Sequence, residues 1–143
     1  MSKDISGETQ FRVRYAETDQ MGVVYHSNFV IWFEIGWVEL LRQFGFRYRD
    51  MEEHDKCHIP VGDLKIRYKV PAFYDDEIVV RTRLTNVRPS LLRFRYEIFR
   101  ASDRELLAEG ETTHFIVDEK FKITRLPQKY LAAFAQASAD QHL

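Results

Sequence analysis

Apolar and polar residues alternate along most of the chain, and one long stretch breaks the pattern. Phe11, Val13 and Tyr15 fall on one side of an extended segment, with Gln10, Arg12 and Arg14 on the other. That period of two predicts a strand with one buried face. Leu64, Ile66, Tyr68 and Val70 oppose Lys65, Arg67 and Lys69 in the same way. Ile78, Val80, Thr82 and Leu84 alternate with Val79, Arg81, Arg83 and Thr85, and Leu92, Phe94, Tyr96 and Ile98 with Arg93, Arg95 and Glu97. A further strand, roughly 106–117, alternates less cleanly. Turn signals separate these segments: Pro71, which cannot donate to a ladder, then Asp75-Asp76, Arg88-Pro89-Ser90 and Ser102-Asp103-Arg104.

The exception runs from Phe29 to Phe44, where only Glu34, Glu39, Arg42 and Gln43 are strongly polar. A helix that apolar must be covered nearly all round. Ser27 or Asn28 suits its N-cap, and Gly45 its stop. Trp32 and Trp37 stand about 140° apart around it, so they do not share a face, and core packing is expected for at least one. Residues 1–8 are polar and expected to fray. Residues 46–58 suit a loop with a short helical turn. A C-terminal helix is expected over 127–138, started by Pro127, with Tyr130, Leu131 and Phe134 as an apolar stripe. Short turns between strands imply antiparallel neighbours, and the one-sided sheet needs the helix to cover it. The expected class is α+β, a sheet curled around a single helix. Periodicity leaves the strand order open.

At 143 residues the chain suits one domain over 1–143. Its 21 basic and 22 acidic residues give 21 − 22 = −1, which argues against a general nucleic-acid binder. Glu34 and Glu39 interrupt the longest apolar stretch, so no membrane insertion is expected. The N-terminus lacks a signal-peptide core. The single cysteine, Cys57, makes no internal disulfide, which suits a reducing compartment, and a cytoplasmic location is the expectation.

The candidate chemistry centres on residues 15–28. There is no phosphate loop, no Gly-x-Ser-x-Gly elbow and no Cys/His cluster of zinc spacing; His54 and His58 read as surface histidines. No metal and no cofactor is expected. Asp19 stands just before a helix N-terminus, whose free N–H groups and partial positive charge can stabilise an oxyanion. A carboxylate beside them can act as nucleophile or as general base on water. Asp19 with the N–H groups around Tyr25 and His26 is thus sufficient for acyl transfer. The spacing alone also allows Asp19 as a turn or capping residue and His26 as a packed polar side chain.

Tyr15-Ala-Glu-Thr-Asp19-Gln-Met-Gly22-Val-Val-Tyr25-His26-Ser-Asn-Phe resembles the signature of the 4-hydroxybenzoyl-CoA thioesterase family, in particular its Tol–Pal-associated acyl-CoA thioesterase branch. Tyr68-Lys-Val-Pro71-Ala72-Phe-Tyr74-Asp75-Asp76 is similar to a second family segment, and Glu34 with Glu39-Leu-Leu-Arg42 also fits. The resemblance spans about residues 11–118. It implies a hotdog fold: a curved antiparallel five-stranded sheet wrapped around one long central helix. It implies edge-to-edge pairing into a homodimer or, by further pairing, a homotetramer, with sites at the interface. It implies hydrolysis of an acyl-CoA thioester to a carboxylic acid and CoA.

By the same resemblance Asp19 is the catalytic carboxylate and His26 supplies a backbone N–H to the thioester carbonyl. Gly22 and Tyr25 shape the loop, while Arg88 and Ser90 stand in a turn that contacts CoA phosphates; a solvated turn arginine is the competing reading of Arg88. Glu34 either hydrogen-bonds near the site or reaches the sheet edge. Trp37 and Ile35-Gly36 depart from the family pattern, which puts the acyl pocket or the helix packing in doubt. The alternative functions are a non-catalytic acyl-CoA-binding hotdog module and, behind it, a hydratase or dehydratase.

Overall fold

The computed structural model describes residues 5–141. The alternating segments form β1 (Ile5–Arg12), β2 (Val61–Tyr68), β3 (Glu77–Arg88), β4 (Leu91–Arg100) and β5 (Leu106–Phe115). The apolar stretch forms α1 (Ser27–Gln43), followed by α2 (Tyr48–Glu53); α3 (Gln128–Gln141) comes last. The strands make one antiparallel sheet in the order β1-β3-β4-β5-β2, with β1 and β2 at its edges. Register shifts within the β2–β5, β3–β4 and β4–β5 pairs bend the strands. The sheet curls over α1, as the hotdog arrangement requires.

The inward residues Leu92, Phe94, Tyr96 and Ile98 of β4 are fully buried, as are Ile78, Val80 and Thr82 of β3. Both tryptophans of α1 are buried, although they point in different directions. Trp32 packs edge-on against Phe11 and tilted against Phe29. Trp37 packs against Tyr48, Phe94 and the fully buried His114. Sheet and α2 together therefore cover more of the helix than one face. Gly36 explains part of the departure noted in the sequence. A Cβ there would collide with Thr82 Oγ1 and lie 3.0 Å from Val80 Cγ1, so α1 can ride directly on β3 only with glycine at this position.

Three boundaries differ from expectation. β1 already includes residues 5–8, placed in the frayed segment by sequence, and Ile5 is buried; residues 1–4 lie outside the described residues. The apolar alternation is masked there because inward Gly7 has no side chain: a Cβ would lie 3.0 Å from Leu40 Cδ1. Tyr15 leaves the strand pattern for a 3-10 turn (Tyr15–Glu17) and is exposed. The last helix is displaced slightly, to Gln128–Gln141, with Tyr130 and Phe134 packed on Phe46.

Candidate functional site

The segment between β1 and α1 is pinned by one buried carboxylate. Glu17 is only 5% exposed. Its Oε1 accepts the Arg14 backbone N–H at 2.8 Å, and its Oε2 accepts Trp32 Nε1–H at 2.9 Å and the Arg14 guanidinium at 3.4 Å. Burial alone would push this carboxyl up, but the hydrogen bonds and the nearby positive charge outweigh it and hold it below the ordinary value. The backbone carbonyl of Glu17 also accepts twice, from Tyr25 N–H at 2.8 Å and from Asn28 Nδ2 at 2.9 Å. One residue thus ties the loop to the first turn of α1 through its backbone and to the next turn through its side chain.

The turn carrying Asp19 projects between these ties. Asp19 N–H donates to Val23 O and Gly22 N–H to Asp19 O, both at 2.9 Å, and Thr18 bridges to Val24. Asp19 Oδ1 accepts Met21 N–H at 2.9 Å, a local turn that orients the carboxylate. Gly22 closes the turn at φ +83°, a conformation that side chains disfavour. Asp19 itself is half-buried.

The helix N-terminus differs from expectation in two respects. Its N-cap is His26, in helical geometry and with no side-chain capping bond; the Asn28 side chain, a capping candidate by sequence, is committed to Glu17 O. Tyr25 N–H is also engaged by Glu17 O, so it is not free for a substrate. The N–H groups of His26 and Ser27 have no acceptor among the described residues. Tyr68, at the end of β2, donates from its hydroxyl to His26 O at 2.8 Å and so holds the N-cap against the sheet edge. A pocket of about 280 Å³, lined by Val24, His26, Phe29, Tyr68, Val70 and Pro71 among others, opens beside this N-terminus. Asp19 does not line it.

The other sequence candidates lie elsewhere. Glu34 is exposed and makes no hydrogen bond or ion pair among the described residues. Arg88 and Ser90 sit at the β3–β4 turn. That is the opposite end of β3 from Glu77, which pairs with Arg12 near the Asp19 loop. Within the chain these two groups of candidates are not brought together. His58 Nδ1 lies 3.0 Å from Glu52 Oε2, while Asp50, Glu53 and His54 cluster at the surface of α2. Sequence reasoning missed Glu17 and the Tyr68 hydroxyl. The available signal was Trp32: a buried indole N–H requires an acceptor, and a carboxylate was at hand in the preceding loop.

Comparison with known proteins agrees with this architecture. The sequence profile of the thioesterase-like superfamily matches residues 13–134. The chain is 40% identical to the putative acyl-CoA thioesterase YneP of Bacillus subtilis over 79% of its own length and 81% of that protein's. It is 33% identical to the acyl-CoA thioester hydrolase YbgC of Escherichia coli, covering 87% of this chain and 92% of the other. It superposes on the DHNA-CoA thioesterase of Staphylococcus aureus with a TM-score of 0.88 and 33% identity, covering 96% of this chain and 93% of that one. An α+β hotdog sheet with a loop-and-helix site is the class so defined. The chain belongs to the thioesterase-like superfamily. No helix among the described residues is long and apolar enough to cross a membrane.

Proposed function

We propose that this chain is an acyl-CoA thioesterase of a single hotdog domain, hydrolysing an acyl-CoA to a carboxylic acid and CoA. The observation that carries the reading is the pair of N–H groups, His26 and Ser27, with no acceptor among the described residues, at the α1 N-terminus beside an apolar pocket, with the Asp19 turn tied immediately before them. The thioester carbonyl oxygen accepts from His26 N–H, which the helix dipole reinforces. Asp19 either attacks the carbonyl carbon, giving a mixed anhydride that water then opens, or takes a proton from the attacking water. In both routes the C–S bond breaks and the thiolate of CoA gains a proton; in the general-base route the oxygen of water enters the carboxylic acid directly, and in the anhydride route water adds to one of the two anhydride carbonyls, releasing the acid and regenerating the Asp19 carboxylate. Gly22 and Tyr25 shape the loop around Asp19. The step draws on no metal or cofactor.

Among the described residues no strand lies beside the outer edge of β2. Antiparallel pairing of two β2 edges extends the sheet into a homodimer, and further pairing gives a homotetramer. In the dimer the Arg88–Ser90 turn of the partner subunit moves to the end of the sheet that carries Asp19, where an arginine and a hydroxyl suit CoA phosphates. Exposed Glu34 is then available to substrate or partner.

The test is thiol release from a panel of acyl-CoAs by the parent, Asp19→Ala and Asp19→Asn. General acid–base or nucleophilic contributions predict a loss of about 10²- to 10⁴-fold in kcat. Near-parental turnover in both folded variants refutes the assignment of Asp19. Tight acyl-CoA binding without thiol release by the parent selects the non-catalytic binding module instead.

A further inference from the structure

The Tyr68 hydroxyl donates to a carbonyl that the helix already satisfies. His26 O, at the N-cap of α1, accepts Phe29 N–H at 3.2 Å, and an N-cap carbonyl also accepts the first regular bond of its helix. Tyr68 reaches it all the same, at 2.8 Å, from the last position of β2 and across 42 residues of sequence. Its side chain is 44% exposed, so water was an available partner for the phenol. Its ring stands edge-on to the rings of Phe29, at 5.4 Å, and His26, at 6.1 Å, and lines the apolar pocket beside the helix N-terminus. Partial burial raises the phenol above its ordinary value of 10, so it stays a protonated donor through the neutral range.

The carbonyl of His26 and the N–H of Ser27 are the two ends of one peptide unit. Amide resonance couples them: a proton donated to the oxygen draws electron density from the nitrogen and makes the N–H a stronger donor. In a trans peptide the two ends point in opposite directions, so the phenol on the oxygen leaves the N–H side open. That N–H has no acceptor among the described residues. The N–H of His26 belongs to the preceding unit, whose carbonyl, Tyr25 O, accepts Asn28 N–H at 2.9 Å. The phenol therefore acts on the Ser27 donor and not on its neighbour.

We infer that Tyr68 is a positioning residue for thioester hydrolysis: through the His26–Ser27 peptide its hydroxyl orients and polarises Ser27 N–H, which joins His26 N–H as a second donor to the thioester carbonyl oxygen. The inference rests on the thioesterase reading and deepens it, adding a second oxyanion donor and the side chain that strengthens it. Negative charge builds on that oxygen only as the carbonyl is attacked, so the effect falls on the transition state and not on ground-state binding.

The experiment compares the parent with Tyr68→Phe, which removes only the hydroxyl, and with Tyr68→3-fluorotyrosine, a more acidic phenol of nearly the same size. Turnover of an acyl-CoA is read as thiol release at about pH 6, where both phenols are protonated. Tyr68→Phe should lower kcat about tenfold, short of the roughly 10²- to 10³-fold that losing an oxyanion donor outright costs, with KM within about twofold of the parent. The fluorinated protein should keep the parental kcat or exceed it, an order by donor strength that a purely structural tether would not produce. A spectroscopic reading accompanies the kinetics. Acyl-CoA labelled with carbon-13 at its carbonyl is bound to Asp19→Asn, with and without Tyr68→Phe, and isotope-edited infrared spectra locate the thioester C=O stretch. Loss of the hydroxyl should move the band towards that of the free thioester. A kcat for Tyr68→Phe within about twofold of the parent, or a band that Tyr68→Phe leaves unchanged in an otherwise active protein, overturns the inference alone. A parent that binds acyl-CoA without hydrolysing it, with a band that still depends on Tyr68, supports the polarised N–H and refutes the thioesterase reading.

Discussion

Replacing Glu17 with glutamine keeps the size of the side chain and removes its charge. The carboxylate accepts two short hydrogen bonds, from Arg14 N–H at 2.8 Å and Trp32 Nε1–H at 2.9 Å, on different oxygens. In the variant one of those oxygens becomes an NH₂ that faces a donor. Hydrogen bonds to charged groups contribute about 1.5–3 kcal/mol, and one of the two is lost while the other weakens. The Arg14 guanidinium adds little, because its side chain is 74% exposed. The expected loss is about 2–3 kcal/mol, or roughly 6–12 °C in Tm for a chain of this size. Urea denaturation and calorimetry measure it. A double-mutant cycle with Trp32→Phe, which removes the indole donor, should return a coupling of about 1 kcal/mol or more. The Glu17 carbonyl also occupies Tyr25 N–H and Asn28 Nδ2, so a loosened Glu17 should lower kcat more than it raises KM. The pH dependence has a definite sign. The folded carboxyl sits below its ordinary value of 4.5, so its contribution is complete above that pH and is lost as pH falls through the folded pKa. Below about pH 4.5 the parent should therefore lose more stability than Glu17→Gln. A Glu17→Gln protein within about 0.5 kcal/mol of the parent, or strictly additive effects with Trp32→Phe, would refute the clamp.

Two other positions give independent tests. Gly36→Ala gains up to about 1 kcal/mol of helix propensity but forces a methyl into Thr82, for a net loss of about 1–2 kcal/mol by denaturation, and adding Thr82→Ala should recover most of it. Cys57 is buried, and burial, reinforced by the Asp55 charge, raises its thiol to about 11. An aromatic disulfide reagent at neutral pH should therefore modify it slowly in the native protein and rapidly in urea; fast stoichiometric labelling of the native state contradicts its placement.

Much of this fold was legible because side-chain periodicity is a local property. Leu92, Phe94, Tyr96 and Ile98 alternate as a half-buried strand must, and all four are buried. Gly22 and Gly45 stand where a turn and a helix end need positive φ, and both adopt it. β1 was partly hidden because its contact with α1 is made by Gly7, whose meaning depends on Leu40 and Gln43 arriving from far along the chain. The candidate site was legible as a list of residues but not as a set of available groups. Tyr25 and His26 are adjacent in sequence, yet one N–H is taken by Glu17 and the other has no acceptor among the described residues.

By itself the sequence determined the number and kind of elements, the covered helix and the motif that places Asp19 before its N-terminus, since each follows from neighbours within a few residues. Only the tertiary structure decided the order β1-β3-β4-β5-β2, the burial of both Trp32 and Trp37, the exposure of Glu34 and the separation of Arg88 from Asp19. Strand order and hydrogen-bond ownership depend on contacts between distant segments, and a repeat of two or 3.6 residues carries no record of which segment lies alongside.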